Sequence, residues 1–243
     1  MAGKLFGKVA IVTGASSGIG EAAARVLASE GAQLVITARR EDRLKHLANE
    51  FKEHGSKAIY VVGDASQEET AVQTVDAAMK EFGRIDILIN NTGMGNYKEL
   101  VDTSVAEYDE MMVTNMRSTF LFTRFVVPHL ILQGTGTILL VSSMAGINGY
   151  PGQAVYCATK FAQMGFAKSL DKELRPKGIK VGVICPGGVK TEFAIGKGRT
   201  QEGVAKSEML EATDVAAAIL LACTQSAGSR IIEIQMRTMA EGL

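Results

Sequence analysis

Tyr156 and Lys160 stand four residues apart in Val155-Tyr156-Cys157-Ala158-Thr159-Lys160, and Ser143 lies thirteen residues before the tyrosine. On a helix, residues i and i+4 share a face, which brings the Lys160 ammonium beside the Tyr156 phenol. A phenol ordinarily titrates near ~10, too high to exchange protons readily at neutral pH. A neighbouring positive charge favours phenolate and lowers that value. With a hydroxyl such as Ser143's placed to hydrogen-bond the reacting oxygen, these are the residue types of a general acid for carbonyl chemistry. Taken alone, Tyr-x-x-x-Lys more often marks a solvated pair on a helix surface, so the elements that would position it decide its meaning.

The first of those elements is a glycine-rich loop. Gly14, Ser16, Ser17, Gly18 and Ile19 fall in Thr13-Gly14-Ala15-Ser16-Ser17-Gly18-Ile19-Gly20, between a short apolar run and an amphipathic stretch. Glycine lets a backbone turn tightly and approach a pyrophosphate without an intervening Cβ, and the helix that follows would offer free N–H groups to the phosphates. The spacing is G-x-x-x-G-x-G, not the commoner G-x-G-x-x-G, so position and context carry the reading; a tight turn without a ligand is the competing one. After the second apolar run, Ala38 stands where an acid would accept the adenosine ribose hydroxyls and favour NAD. Arg39 and Arg40 follow it instead. Guanidinium groups suit a 2′-phosphate, which favours NADP(H), with Arg39 the stronger candidate and Arg40 open to being the solvated start of the next helix.

Apolar, β-rich runs at 8–13, 33–38, 58–62, 85–90, 137–142, 180–185 and 230–234 are continuous rather than alternating, as expected of strands buried on both faces. Amphipathic segments near 18–30, 41–54, 67–82, 104–133, 153–176 and 213–224 separate them. That alternation predicts an α/β fold: a single doubly wound (Rossmann) domain over 1–243, of about seven parallel strands with helices on both faces. Residues 111–127 and 161–170 are apolar nearly all round, which points to burial on a second side, by another subunit or by a thick core.

In 243 residues, 26 Lys and Arg balance 26 Asp and Glu, so no net field recruits nucleic acid or an anionic membrane. No apolar run reaches the ~18 residues of a membrane span, and the N-terminal residues lack a signal-peptide core. Cys157, Cys185 and Cys223 are odd in number and lack metal-ligand spacing, which reads as reduced thiols in a cytoplasmic protein with no metal site. His46, His54 and His129 have no partner motif and read as surface or packing residues.

Together these residues resemble the short-chain dehydrogenase/reductase family over nearly the whole chain, and are similar to its ketoreductase branch, which includes 3-oxoacyl-carrier-protein reductases. The resemblance rests on TGASSGIG at 13–20, Asp64 in GDAS, NNTG at 90–93, Asn115, VSSMAG at 141–146, YCATK at 156–160 and CPGGVKT at 185–191. It implies that Gly14, Ser16, Ser17, Gly18 and Ile19 line the pyrophosphate and adenosine ribose. Asp64 and Ala65 would meet the adenine, and Asn91, Thr92 and Gly93 would flank the ribose. Tyr156 and Lys160 would hold the nicotinamide ribose, and Pro186, Gly187, Val189 and Thr191 would clasp the nicotinamide. Catalysis would fall to Asn115, Ser143, Tyr156 and Lys160, the thirteen-residue interval selecting Ser143 over Ser142. Asn115 would bend its helix and hold a water linking Lys160 to solvent. The activity implied is NADPH-dependent reduction of a ketone or aldehyde; an NAD-linked alcohol dehydrogenase and a non-catalytic dinucleotide-binding regulator are the alternatives.

The chain departs from that pattern at Thr92, where alanine is usual, at Cys157, where a small serine is common, and at a C-terminus without the usual Gly-Gly pair. The family implies a homo-oligomer, dimer or tetramer, and the atypical tail leaves the choice between them open. Residues 191–213 would form a mobile flap over a small-molecule carbonyl substrate. Met94, Asn96, Met144, Ile147, Tyr150 and Phe193 are expected pocket walls, and so apolar a set suits a neutral ketone or aldehyde. Lys197, Arg199 and Lys206 would offer only a thin basic surface to a carrier protein.

Overall fold

In the computed structural model of the protein, residues 3–240 are described. The first two and last three residues, which include the end of the atypical tail and both limits of the domain expected over 1–243, lie outside them. Seven strands run β1 Val9–Thr13, β2 Gln33–Ala38, β3 Ala58–Val62, β4 Ile87–Asn90, β5 Gly136–Val141, β6 Ile179–Pro186 and β7 Glu233–Met236. They form one sheet in the order β3-β2-β1-β4-β5-β6-β7, every pair parallel. The α-helices are α1 Gly18–Ser29, α2 Glu41–Glu53, α3 Glu68–Phe82, α4 Val105–Met112, α5 Ser118–Gln133, α6 Ala154–Leu174, α7 Gln201–Lys206 and α8 Ala212–Cys223.

The continuous apolar runs are explained by two cores. Successive side chains of a strand point to opposite faces. Ala10 and Val12 of β1, Leu34 and Ile36 of β2, and Leu139 and Val141 of β5 therefore pack with α1, α2 and α8. Val9, Ile11, Val35, Ile138 and Leu140 pack the other way, with α3, α5 and α6. Strand order reverses on either side of β1, and a crevice opens there beyond the carboxyl ends of β1 and β4.

Three elements differ from the sequence expectation. The helix expected over 104–133 is broken by a wide π turn at Val113–Arg117. Asn115 lies at its centre, fully buried. Its Oδ1 accepts from Met94 N at 2.7 Å, and its Nδ2 donates to Met94 O and to Thr159 Oγ1, both at 2.9 Å. The last strand begins three residues later than expected. Arg230 is tied to Asp171 of α6 at 2.8 Å, and the chain joins the ladder only at Glu233, opposite Val183. The segment after Thr191 contains α7, a helix too short for its periodicity to show.

Helices α5 and α6 bury one side each within the chain: Leu121, Phe122 and Val126 of α5, and Met164, Ala167 and Leu170 of α6. Phe120, Leu132 and Phe161 stay exposed, so a second burying surface is not supplied by this chain. Among the described residues no helix is long and apolar enough to cross a membrane.

Candidate active site

A cavity of about 710 Å³ opens at the crevice and runs from the glycine loop to Tyr156. Gly14, Ser16, Ser17, Gly18, Ile19, Arg39, Arg40, Asp64, Ala65, Asn91, Thr92, Gly93, Ser143, Tyr156, Lys160, Pro186, Gly187, Val189 and Thr191 all line it. Asn115 does not; it lies beneath, behind Met94.

At the glycine-loop end the geometry is set by close packing. Gly14 and Gly18 both take left-handed φ, +66° and +57°. A Cβ on Gly14 would come within 2.9 Å of Asn91 Nδ2, and one on Gly18 within 2.9 Å of the Thr191 methyl. Asn91 holds the loop in place: its Nδ2 donates to Thr13 O at 2.9 Å, and the Asn91 and Thr92 N–H groups each donate to Thr13 Oγ1 at 3.0 Å. Asp64 turns its own loop, accepting from Ser66 N at 2.9 Å. The Thr92 hydroxyl is buried without a partner.

Of the two arginines after β2, Arg40 is the oriented one. It starts α2 but reaches back, donating to Ser16 Oγ at 2.9 Å and to Ser17 Oγ at 2.6 Å. Its remaining nitrogen donates to Glu192 Oε2 at 2.7 Å, and Arg43 donates to the same carboxylate at 2.9 Å. Arg39 is exposed on the cavity wall. A carboxylate therefore already sits between two guanidinium groups beside the loop, and these two cations hold the Glu192 carboxyl below its ordinary range, Arg40 contributing most. The left-handed glycines and this anion-holding corner fit a phosphorylated dinucleotide.

At the other end, Tyr156 and Lys160 project from one face of α6, with Lys160 Nζ 5.7 Å from the centre of the Tyr156 ring. Both are buried, and burial decides their protonation. It pushes the phenol above its ordinary value; nearby Tyr97 adds to this and the Ser143 hydroxyl opposes it. It lowers the Lys160 ammonium to about 8. The i, i+4 spacing leads one to expect an acidified phenol, but here the shift is upward: burial outweighs the Ser143 hydrogen bond and the Arg199 charge that oppose it, and Tyr156 keeps its proton. Ser143 faces the cavity, its Oγ accepting from Ala145 N at 3.1 Å, whereas the Ser142 hydroxyl donates to Lys160 O at 3.2 Å.

Gln163, one turn beyond Lys160, was not legible as a site residue. It is fully buried and its Oε1 accepts from Lys160 Nζ at 3.1 Å, beside a second bond from Nζ to Val141 O at 3.0 Å. Its Nε2 donates to Asn115 O at 2.9 Å, and Thr119 Oγ1 donates to the same carbonyl at 2.9 Å. The Asn115 main-chain carbonyl therefore accepts from two side chains of this protein. The i, i+3 spacing of Lys160 and Gln163 on an apolar helix face was the available signal.

The cavity's Tyr156 end is walled by Met94, Met144, Tyr150 and Phe193, together with Tyr97, Arg199 and Met209. Asn96 is turned away, donating to Glu107 at 2.9 Å, and Ile147 packs into the core below α6. The rings of Tyr97 and Phe193 lie 5.5 and 5.8 Å from that of Tyr156. The segment expected as a flap is closed at its base, where Lys190 N donates to Leu210 O at 2.8 Å and Leu210 N to Gly188 O at 2.9 Å.

This sequence and this fold have known counterparts. Residues 8–202 match the family described as short chain dehydrogenase. An uncharacterised oxidoreductase of Staphylococcus epidermidis is 36% identical over 234 residues, 96% of this chain and 98% of that one. The chain therefore belongs to the short-chain dehydrogenase/reductase family of oxidoreductases. Among solved structures, the alcohol dehydrogenase of Thermococcus sibiricus complexed with 5-hydroxy-NADP superposes with a TM-score of 0.88 at 29% identity, covering 97% of this chain and 98% of that one. The 3-ketoacyl-(acyl-carrier-protein) reductase of Brucella melitensis complexed with NADH gives 0.88 at 31% identity, covering 96% and 98%.

Proposed function

We propose that this oxidoreductase reduces a ketone or aldehyde carbonyl to the alcohol with NADPH, Tyr156 supplying the proton. The observation that carries the reading is one cavity shared by the left-handed glycine loop and a buried tyrosine with Ser143 and Lys160 beside it. When bound, the reduced nicotinamide would supply a hydride to the carbonyl carbon. Ser143 would hydrogen-bond the carbonyl oxygen, and Tyr156 would hand its proton to that oxygen as negative charge builds there. Lys160, still cationic at neutral pH, stabilises the phenolate left behind. Gly14, Ser16, Ser17, Gly18, Ile19, Asp64, Ala65, Asn91, Thr92 and Gly93 would bind the adenosine and pyrophosphate side, and Pro186, Gly187, Val189 and Thr191 the nicotinamide. Tyr156 and Lys160 would meet its ribose, with Asn115 setting the backbone beneath.

Preference for NADP(H) over NAD(H) is supported by the Glu192 carboxylate between Arg40 and Arg43, an anion where a 2′-phosphate would sit; the solved relatives themselves hold either dinucleotide. The exposed Phe120 and Phe161 support assembly into a homo-oligomer. The test is NADPH and NADH consumption across diketones, ketoesters, aldehydes and acyl thioesters, with Arg40→Ala and Arg39→Ala. Arg40→Ala is expected to raise KM for NADPH by about 10-fold or more and leave NADH little changed. A wild-type preference for NADH would remove the cofactor assignment, and a panel that consumes neither would remove the reductase reading.

A further inference from the structure

Charge at the substrate end of the cavity does not balance. Lys197 is paired with Glu110 at 3.5 Å, and Lys160 is held by carbonyl oxygens of Val141 and Gln163. Arg199 is different. Its guanidinium carbon lies 5.7 Å from the centre of the Tyr97 ring and 5.9 Å from that of Phe193, the two rings that pack on Tyr156. Its hydrogen bond, to Val189 O, is long at 3.5 Å. Among the described residues no carboxylate lies within ion-pair distance of it.

The position is built rather than incidental. Arg199 N donates to Ala194 O at 3.0 Å, Gly196 N to Arg199 O at 2.9 Å, and Tyr97 N to Lys197 O at 3.0 Å, so the turn carrying the arginine is bonded to itself and to the pocket wall. Ala194, Gly196 and Gly198 all take left-handed φ, at 61°, 75° and 108°. A Cβ on Gly198 would stand 2.5 Å from that of Tyr97, so any side chain there would lift the turn off the ring. An aromatic-backed guanidinium, half-buried and lacking a counter-charge, matches the planar, bidentate geometry of a carboxylate, and a low-dielectric wall strengthens such a pair relative to water.

We infer that Arg199 anchors a carboxylate on the substrate, making the carbonyl compound reduced at Tyr156 an oxo acid whose apolar spacer lies along Tyr97 and Phe193. The inference rests on the reductase reading above and replaces the neutral substrate that the apolar wall residues alone suggest. The measurement is kcat/KM with NADPH for levulinate and its next two linear homologues, each against its methyl ester, in wild type, Arg199→Lys and Arg199→Leu. For the best-fitting length, the acid is expected to exceed its ester by about 10-fold or more in wild type. That ratio should collapse towards one in Arg199→Leu and be partly restored in Arg199→Lys, while KM for NADPH stays put. Equal use of acid and ester at every length, equal loss on both in Arg199→Leu, or an effect confined to KM for NADPH would overturn the anchor. If no carbonyl compound, charged or neutral, consumes NADPH, the reductase reading fails, and calorimetric titration with levulinate decides the anchor separately: binding to wild type and not to Arg199→Leu upholds it, and no binding to wild type overturns it.

Discussion

Two cations beside Tyr156, Lys160 and Arg199, are held in opposite ways. Lys160 is buried, supported from below by Val141 and Gln163, and linked through Gln163 to the Asn115 turn. Arg199 hangs from above on a loop, packed on rings and unpaired with any acid among the described residues. On the roles proposed above, the group that would keep one position through a proton transfer is fixed by the rigid sheet and helices, and the group that would read the substrate rides on a connection that other sequences can rebuild. Within one cavity, chemistry and selectivity would then draw on different mechanical supports.

The largest test of the fixed side is Tyr156→Phe. It should lower kcat/KM by about 10³-fold or more while NADPH still binds by fluorescence titration; retained turnover would remove the tyrosine acid. Next, Lys160 titrates near 8 through its burial, so kcat/KM for reduction should fall with rising pH above that value. Lys160→Arg should shift the decline out of range, whereas a profile flat to about pH 10 would contradict the assignment. For folding, the sign is the reverse. Between about 8 and 10.5 the unfolded chain keeps a proton that the folded chain releases, so this group's contribution to stability rises with pH in that window.

A smaller effect separates support from chemistry. Gln163→Leu removes an acceptor from Lys160 and a donor from Asn115, and should lower kcat/KM by about 10-fold. Because the ammonium loses a partner that favours its charged form, the alkaline decline should also move to lower pH, and Gln163→Glu should move it higher. A loss of rate with the decline unmoved would reduce Gln163 to packing. The smallest effect belongs to the loop: Ala194→Gly relieves a left-handed φ of 61° and should stabilise the fold, by urea denaturation, by at most about 1 kcal/mol. A clear destabilisation would show that the alanine methyl packs rather than strains.

What could be read from residues alone follows the same division. Continuous apolar runs located the strands because a sheet covered on both faces leaves no solvent side to alternate with, and the order of motifs along the chain located the cavity lining. The pairings that orient the site were hidden. Arg40 and Arg43 meet Glu192 across some 150 positions of sequence, and neither periodicity nor composition reports such a meeting. Gln163 lies on a helix face whose sequence shows only its apolarity, and Arg199 reads as outer surface because a loop's fold is set by left-handed residues whose consequence is invisible until the turn closes. The phenol's upward shift is hidden for a related reason: spacing gives neighbours, while desolvation depends on everything that covers them.

The wide turn at Val113–Arg117 carries one residue more than an ordinary helical turn would hold. Losing that residue would wind the segment back into a regular helix and rotate everything on one side of it by about 100° relative to the other. Either Asn115 would leave Met94 and Thr159, or Phe122 and Val126 would swing out of the core. Substitutions in this stretch can be absorbed one at a time, but its length cannot change by a single residue without choosing between the cleft and the fold.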